Sequence, residues 1–241
     1  MLCCLGTNPA HIYAQEYLKN HGITITSQAT PECRGILLDV PAAKPQHWAE
    51  LSQILPSGCH VFGGKLDFDV DTKFIKQDLL TDPEFTARNA DITARCALRL
   101  ACKKLESTLL GAPVLIVGWG RIGKCLAQYL RALGADCRIY ARKAENRALL
   151  NALGYQGISW QETVDALPRI KILFNTAPEP VISRRMSQLC SDALLIDLAS
   201  TPGIDAQNAI RARGLPGRMA PESAGELIAQ TVIRLWTEDT V

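Results

Sequence analysis

One short segment of this sequence restricts its possible folds more than any other. An apolar run at residues 113–117, predicted to be a strand, leads into the loop 118–123, which has glycine at its first, third and sixth positions. An amphipathic helix over 121–133 and a second apolar strand over 137–140 follow. This order of strand, G-x-G-x-x-G loop, helix and strand is typical of a Rossmann dinucleotide-binding fold.

Each glycine of this loop has a separate structural role. Gly118 makes the tight turn after the strand, Gly120 lets a ligand pyrophosphate approach the backbone, and Gly123 lets the helix pack against the strand. The free N–H groups at the start of the helix then face the negative diphosphate. We therefore predict that a nicotinamide dinucleotide binds here; a glycine-rich turn without a ligand is the alternative. The predicted loop contacts are Gly118, Trp119, Gly120, Arg121, Ile122 and Gly123.

The end of the next strand decides between NAD and NADP. NAD-binding chains usually carry Asp or Glu there, about 20 residues onward, to hold the ribose 2′-hydroxyl. This sequence has Ala141, Arg142 and Lys143 instead, while Asp136 lies at the start of that strand, on the wrong side of the sheet for the ribose. Arginine and lysine can pair with a 2′-phosphate. We therefore predict NADP as the cofactor, with NAD as a second possibility; two solvated cations are the alternative.

Two later loops are predicted to border the nicotinamide. Ligands of doubly wound sheets lie at the carboxyl ends of the strands, and the predicted strands 172–175 and 194–197 end at these loops. Their short polar side chains can orient a carboxamide or a ribose, although the same residues also favour ordinary turns. The predicted cofactor contacts here are Asn175, Thr176, Ala177, Pro178, Leu198 and Ala199.

The first part of the chain is predicted to form a second, smaller α/β domain. Strands and helices alternate there, which indicates a parallel, flavodoxin-like sheet. The strands are predicted near 1–5, 23–26, 35–39 and 59–62, and the helices near 10–19 and 45–55.

The fold class that follows is α/β, with a Rossmann doubly wound parallel sheet and the smaller domain beside it. We predict a substrate-side domain at 1–88, a connecting helix at 89–108 and the dinucleotide-binding Rossmann domain at 109–220. The connecting helix belongs to a helical pattern that runs from Pro83 to about Glu106. A C-terminal helix, 221–241, is predicted to return to the first domain.

Composition and charge favour a soluble protein that handles a small molecule. The net charge of +2 comes from mixed charges without a long block of one sign, so we predict no nucleic-acid and no membrane partner. No apolar run approaches the roughly 20 residues that span a bilayer, and the start of the chain is too short for a signal-peptide core. We therefore predict a cytoplasmic location.

Cysteine and histidine placement argues against a metal site and against one common dehydrogenase chemistry. The nine cysteines include no Cys-x-x-Cys pair, and we interpret them as reduced, buried apolar residues; a metal or redox site built on Cys3 and Cys4 is the alternative. A 2-hydroxy acid dehydrogenase usually takes a histidine from the later part of its cofactor domain. All four histidines here precede the glycine loop, and we interpret them as surface or helix residues, with His11 or His60 at a strand end as the alternative: His11, His21, His47 and His60.

Several blocks, taken in order, resemble the family of the A component of dipicolinate synthase. The resemblance is good from about Asp78 onward and loose over residues 1–75, and the Asp-Leu-Ala-Ser and Gly-Leu-Pro-Gly blocks are its most specific parts. Besides the glycine loop, the blocks are Asp78-Leu79-Leu80, Asn89-Ala90-x-x-Thr93-Ala94, Asn175-Thr176-Ala177-Pro178, Ile196-Asp-Leu-Ala-Ser-x-Pro-Gly203 and Gly214-Leu-Pro-Gly-x-x-Ala-Pro-x-x-Ala-Gly225.

This resemblance implies an NAD(P)-dependent oxidoreductase that turns a dihydrodipicolinate-type ring into pyridine-2,6-dicarboxylate, in a lysine-pathway branch that serves bacterial endospores (sporulation). It implies the flavoprotein B component of the synthase as partner; a homo-oligomer is also expected. The catalytic residues implied are Asn89, Thr93, Asp197 and Ser200. A dicarboxylate substrate favours nearby cations, and the candidates by position, each of which is otherwise a solvated charge, are Lys65, Arg88, Arg95 and Arg218.

The sequence also departs from the family in three places. The first domain is shorter, Cys96 stands where the long helix is expected to have a small glycine, and the family's additional apolar strand is missing between Arg211 and Gly214. These departures bear on the identity of the substrate more than on the identity of the cofactor. Two alternatives therefore stay open: an NAD(P)-binding partner protein without its own catalysis, and a 2-hydroxy acid dehydrogenase-like enzyme.

Overall fold

The chain forms two compact units, seen in a computed structural model that describes residues 1–42 and 44–238. Unit 1 comprises Met1–Ile92 together with the chain from Pro216 onward, and unit 2 comprises Thr93–Leu215. The helix predicted at 89–108 runs from Pro83 to Lys104. The first passage from one unit to the other therefore lies inside a continuous helix.

The described residues form eleven strands and nine α-helices, which alternate in most of the chain. The strands are β1 (Leu2–Cys4), β2 (Ile25–Thr26), β3 (Gly35–Leu37), β4 (His60–Gly63), β5 (Ile75–Asp78), β6 (Pro113–Val117), β7 (Asp136–Tyr140), β8 (Gln156–Ile158), β9 (Ile172–Asn175), β10 (Leu194–Asp197) and β11 (Ile210–Arg211). The helices are α1 (Pro9–Asn20), α2 (Trp48–Ile54), α3 (Pro83–Lys104), α4 (Arg121–Ala132), α5 (Ala144–Ala152), α6 (Trp160–Ala166), α7 (Arg184–Gln188), α8 (Leu215–Met219) and α9 (Pro221–Glu238).

Unit 1 contains a five-stranded parallel sheet in the order β2-β1-β3-β4-β5. This is the flavodoxin-like order 2-1-3-4-5, which confirms the predicted class of the smaller domain. The fifth strand, β5, was not predicted.

Helix α1 begins at a well-defined cap and packs against α9. The Asn8 side chain accepts a hydrogen bond from the Ala10 amide at 3.0 Å, and proline occupies the first helical position, where its missing N–H costs nothing. Ala10, Leu18 and other residues of α1 belong to the same apolar cluster as Leu227 and Val232 of α9. A Cβ at Gly225 would lie 2.4 Å from the Ala10 carbonyl oxygen, so only glycine permits this close approach of the two helices.

Unit 2 contains a six-stranded parallel sheet in the order β11-β10-β9-β6-β7-β8. Numbered within the unit and read from β8, this is the Rossmann order 3-2-1-4-5-6, and it confirms the predicted fold. The register pairs Val117 with Tyr140 and with Asn175, and Asn175 with Asp197. The carboxyl ends of four strands therefore meet at one edge of the sheet.

The central strand β6 anchors this sheet. Its residues Val114, Leu115, Ile116 and Val117 are at most 1% exposed, as expected for a parallel strand covered on both faces. Burying each such side chain stabilises the fold by about 1.5–3 kcal/mol, so the strand holds the glycine loop on a rigid support.

Several sequence-based expectations need correction. His11 lies in helix α1, as predicted, but it is 2% exposed, and His60 is 8% exposed and is the first residue of β4, so it is neither a surface nor a helix residue. Cys102 is exposed, although the other cysteines are buried or half-buried thiols without a disulfide. The strand β11 (Ile210–Arg211) was not predicted; it ends where the stretch expected to lack a strand, between Arg211 and Gly214, begins, and the Ala212 amide still donates to the Asp197 carbonyl at 2.8 Å.

Other parts of the prediction were incomplete. Besides β11, three helices and one further strand of unit 2 and its border were not predicted: α6, α7, α8 and β8. The predicted C-terminal helix is present as α9, while residues 239–241 of that prediction lie outside the described residues. Among the described residues, no helix combines the length and the apolar character needed to cross a membrane.

Candidate dinucleotide-binding site

The turn after β6 has a conformation that favours glycine. Gly118 has φ +108°, and a Cβ there would lie 2.6 Å from the Thr176 Oγ1. The Gly118 amide donates to the Tyr140 carbonyl at 3.0 Å, and the Thr176 hydroxyl donates to the Val117 carbonyl at 3.0 Å. These bonds join the turn to the ends of β7 and β9, so the loop is held from both sides.

The other two glycines of the loop have opposite surroundings. A Cβ at Gly123 would lie 2.3 Å from the Gly118 carbonyl oxygen, whereas a Cβ at Gly120 would meet nothing within 4 Å. Gly120 is also the residue before helix α4 and makes no side-chain capping bond there. The predicted roles are therefore consistent with the geometry: Gly123 permits close packing, and Gly120 borders open space at a helix N-terminus suited to a diphosphate.

A cavity of about 470 Å³ opens beside this loop, which is within the usual range for small-molecule sites. The structure brings nine predicted cofactor contacts to its wall: Gly118, Trp119, Gly120, Ala141, Arg142, Lys143, Thr176, Ala177 and Pro178. It adds six residues that sequence reasoning did not select: Tyr140, Asn146, Trp160, Glu179, Pro180 and Val181. Six other predicted contacts are not among these lining residues: Arg121, Ile122, Gly123, Asn175, Leu198 and Ala199.

The predicted cations of the cavity both have acidic neighbours. Arg142 Nη1 lies 3.2 and 3.3 Å from the two carboxylate oxygens of Glu179, and Lys143 Nζ lies 3.4 Å from Glu145. Glu179 is 37 residues from Arg142 in the chain and follows a different strand, so local sequence gave no signal for this contact. A carboxylate from the loop after β9 therefore lies beside the end of β7.

Arg147 holds the loop between β7 and α5. Its Nη1 donates to the carbonyls of Ala141 and Arg142, each at 2.8 Å. The backbone at Arg142 is therefore fixed even though its side chain is exposed. Sequence reasoning missed Arg147 because the bond goes to backbone atoms and leaves no motif.

Trp119 carries a buried polar atom at the cavity wall. Its indole Nε1 has no hydrogen-bond partner in the described part of the chain, while its ring lies 5.7 Å from that of Tyr155 and 5.7 Å from the Lys124 ammonium. Buried donors normally have a partner. The unsatisfied donor therefore belongs to a side chain that lines the cavity.

The ends of β9 and β10 share a buried hydrogen-bond network. Asn175 is fully buried and Asp197 is 1% exposed, and the Asn175 Nδ2 donates to Asp197 at 2.8 Å. The Asn175 side chain also accepts from the Ala177 amide at 3.2 Å and donates to the Ala177 carbonyl at 3.1 Å. The network thereby fixes the loop that forms one wall of the cavity.

Asp197 is fully engaged by its own surroundings. Its second oxygen accepts hydrogen bonds from the amides of Gly203 and Ile204, at 2.8 and 3.2 Å, and contacts the Arg211 guanidinium. Because these partners occupy a carboxylate shielded from solvent, the geometry favours a positioning role. The predicted catalytic role of Asp197 stays a prediction without support from this arrangement.

The other predicted catalytic residues are spread over the two units. Ser200 is exposed in the loop after β10. Asn89 is half-buried and Thr93 is 8% exposed, and they lie one turn apart on α3. Asn89 belongs to unit 1 and Thr93 to unit 2, and the structure gives neither an identified role in a reaction.

The four candidate cations for a dicarboxylate are also divided between the units. Lys65, Arg88 and Arg218 belong to unit 1 and Arg95 to unit 2. Lys65 lies 3.6 Å from Asp67, and Arg88 lies 3.6 Å from Glu84 and 2.5 Å from Gln230. The Arg95 guanidinium stacks over the Tyr129 ring at 4.7 Å. No group of His, Cys, Asp and Glu side chains in the described residues is arranged to hold a metal ion.

Comparison with known proteins agrees with this geometry. Residues 90–212 match the family described as D-isomer specific 2-hydroxyacid dehydrogenase, NAD binding domain. The A component of dipicolinate synthase from Bacillus subtilis (strain 168) is 28% identical over 199 residues, which is 76% of this chain and 66% of that protein. The chain thus spans about two thirds of the length of this curated relative.

Solved structures show the same architecture. The A component of dipicolinate synthase from Bacillus halodurans superposes with a TM-score of 0.82 at 21% identity, covering 97% of this chain and 96% of that one. The corresponding protein from Bacillus subtilis gives 0.80 at 20% identity, covering 98% and 95%. The sequence-based resemblance to this component of dipicolinate synthase is confirmed by the sequence match together with this shared fold.

Proposed function

The chain belongs to the D-isomer specific 2-hydroxyacid dehydrogenase, NAD binding domain family, and from this premise we propose that it is an NADP-dependent oxidoreductase of the dipicolinate synthase type. The observation that carries the proposal is the cavity beside the glycine loop, whose wall includes Gly120, Arg142 and Thr176. An open approach to a helix N-terminus and a cation at the ribose position fit a phosphorylated dinucleotide.

The chain's own residues bind and orient in this proposal. The amides at the start of α4 hold the diphosphate, Arg142 and Lys143 hold the 2′-phosphate, and the loop fixed by Asn175 positions the remainder of the cofactor. When bound, the dinucleotide supplies a hydride acceptor. A dihydrodipicolinate-type ring that loses one hydride and one proton becomes aromatic pyridine-2,6-dicarboxylate, so the reaction needs no base at a carbinol oxygen.

The proposed substrate and partner rest on the relative rather than on the cavity. The dicarboxylate substrate, a cytoplasmic location, a homo-oligomer and a flavoprotein B component are proposed because the A component of dipicolinate synthase is a sequence relative. The placement of all four histidines before the glycine loop supports a reaction at a ring carbon over one at a carbinol.

The function is tested by binding and by turnover. Calorimetric titration with NADP and NAD is expected to show tighter binding of NADP. Dihydrodipicolinate and NADP, incubated with the protein with and without a flavoprotein B component, are expected to give NADPH absorbance and the pyridine product. Nucleotide binding without product in either mixture contradicts the proposed reaction, and no nucleotide binding contradicts the cofactor.

The NADP preference has a separate test in Arg142→Ala. This variant is expected to weaken NADP binding about 10-fold, because a charge-assisted hydrogen bond to the phosphate is lost, while NAD binding stays nearly constant. Arg169→Ala is the control, since Arg169 is an exposed arginine at the other end of β9. Equal effects on both nucleotides, or none on either, show that Arg142 does not hold a 2′-phosphate.

A second candidate follows from the surroundings of Asp197. Because its carboxylate accepts hydrogen bonds from the Gly203 and Ile204 amides, a dinucleotide-binding partner protein without its own catalysis is the alternative. That candidate requires NADP binding without turnover of the isolated chain. The family match at 90–212 also makes a panel of 2-keto acids with NADPH a necessary control, because reduction of any of them indicates a 2-hydroxy acid dehydrogenase.

A further inference from the structure

An acidic residue contacts the cation that would read the 2′ position of the cofactor. Arg142 follows β7 and Glu179 follows β9, and both line the same cavity. The Arg142 Nη1 is 3.2 Å from one Glu179 oxygen and 3.3 Å from the other. The Arg142 guanidinium therefore contacts a carboxylate of the chain itself.

This ion pair can be broken by a ligand. The two side chains are 73% and 62% exposed, and exposed pairs of this kind are weak. A 2′-phosphate carries a charge near −2 at neutral pH, so it competes with Glu179 for Arg142 and is repelled by the carboxylate. A 2′-hydroxyl has no such conflict and can donate a hydrogen bond to a carboxylate.

We propose that Glu179 is a specificity-determining residue that restrains Arg142 and reduces the preference of this site for NADP over NAD. The proposal rests on the proposed dinucleotide function. It assigns to the loop after β9 an acidic role that such cofactor domains usually place at the end of the strand after the glycine loop. The site then accepts both nucleotides, with a margin for NADP set by the balance of Arg142 and Lys143 against Glu179 and Glu145, the second of which lies 3.4 Å from Lys143.

The test is Glu179→Gln, read out as the dissociation constants of NADPH and NADH by calorimetry. NADPH is expected to bind about 3- to 10-fold more tightly, because repulsion and competition are both removed, whereas NADH binds equally well or more weakly. Asp192→Asn is the matched control: it removes one negative charge from an exposed position at the amino end of β10, away from the cavity.

A double variant separates action through Arg142 from general charge effects. In Arg142→Gln, the further change Glu179→Gln is expected to give a smaller gain in NADPH affinity than it gives alone, because no guanidinium is left to release. Equal gains in both backgrounds overturn the restraint of Arg142 by Glu179.

The remaining outcomes are also decisive. An unchanged ratio of NADPH to NADH affinity in Glu179→Gln, or weaker NADPH binding, overturns the proposed role of Glu179 while leaving the dinucleotide function standing. A wild-type protein that binds neither nucleotide removes both proposals together. Thermal unfolding of each variant shows that the fold is intact, which is expected since both side chains are exposed.

Discussion

Replacing Gly120 with alanine is expected to separate nucleotide binding from folding. The Gly120 backbone has φ −81° and ψ −171°, a region that alanine adopts freely, and an added Cβ would meet no protein atom within 4 Å. The methyl group therefore costs the free protein little. It would stand in the space through which a diphosphate approaches the amides of α4.

The two expected magnitudes follow from this geometry. Alanine is a poorer residue than glycine before a helix, but it also lowers the entropy of the unfolded chain, so the free energy of unfolding should change by less than about 1 kcal/mol. A methyl group forced against a close-packed ligand costs about 1–3 kcal/mol, which corresponds to about a 5- to 150-fold loss of nucleotide affinity.

The assay pairs calorimetric titration of NADPH with urea unfolding, and Gly123→Ala provides the contrast. A Cβ at Gly123 would lie 2.3 Å from a backbone oxygen, so that variant should lose stability, by about 1–3 kcal/mol, even without nucleotide. If Gly120→Ala binds NADPH as tightly as the wild type, the diphosphate does not lie against this residue and the reasoning fails.

Three further results are expected. Asp82→Ala should lower the free energy of unfolding by about 2–4 kcal/mol in urea titrations. The reason is that the largely buried Asp82 side chain accepts hydrogen bonds from the Phe85 amide and from Arg234, both at 2.7 Å. Asp82→Asn should lose less stability. Asp197→Ala should cost about 2–4 kcal/mol and weaken NADPH binding through its loop, and unchanged stability would contradict the network described above. Burial lowers the pKa of His11 below its ordinary 6.5, against an opposing effect of Asp39. The unfolded state therefore binds more protons than the folded state, and stability should fall as the pH drops below about 6.5. His11→Gln should flatten this decline in unfolding midpoints measured from about pH 8 to about pH 5.

The Rossmann unit was predictable because its signals are local. The run Val114–Val117 is apolar throughout, and the glycine spacing marks the turn and the helix start within ten neighbouring residues. Strong periodicity of this kind needs no knowledge of distant parts of the chain. The strands β9 and β10 were placed at their observed bounds for the same reason.

The missed elements lack that kind of signal. Strand β5 reads Ile-Lys-Gln-Asp, and its Ile75 is 38% exposed, so an edge position and not an apolar pattern makes it a strand. Strand β8 has three residues with a glycine in the middle. Helix α6 did have a readable start, since Ser159 and Glu162 form a capping box, and this signal was overlooked.

The missed site residues depend on contacts between distant segments. Glu179 reaches Arg142 only because β7 and β9 end at the same edge of the sheet. Asp197 looked catalytic as part of a sequence block, but its hydrogen bonds to Asn175, Gly203 and Ile204 become visible only when the loop is folded. Residue type alone does not tell a reactive carboxylate from one that organises a loop.

The packing of α9 against α1 has a consequence for biosynthesis. Helix α9 contributes Leu227, Ile228 and Val232 to the core that surrounds β1 and α1, yet it is translated after the whole of Thr93–Leu215. Unit 1 is therefore begun before unit 2 and completed after it, whereas unit 2 has its whole sheet before α9 is translated. Until then the apolar side of α1 is uncovered, and a chaperone or a second nascent chain can reach it.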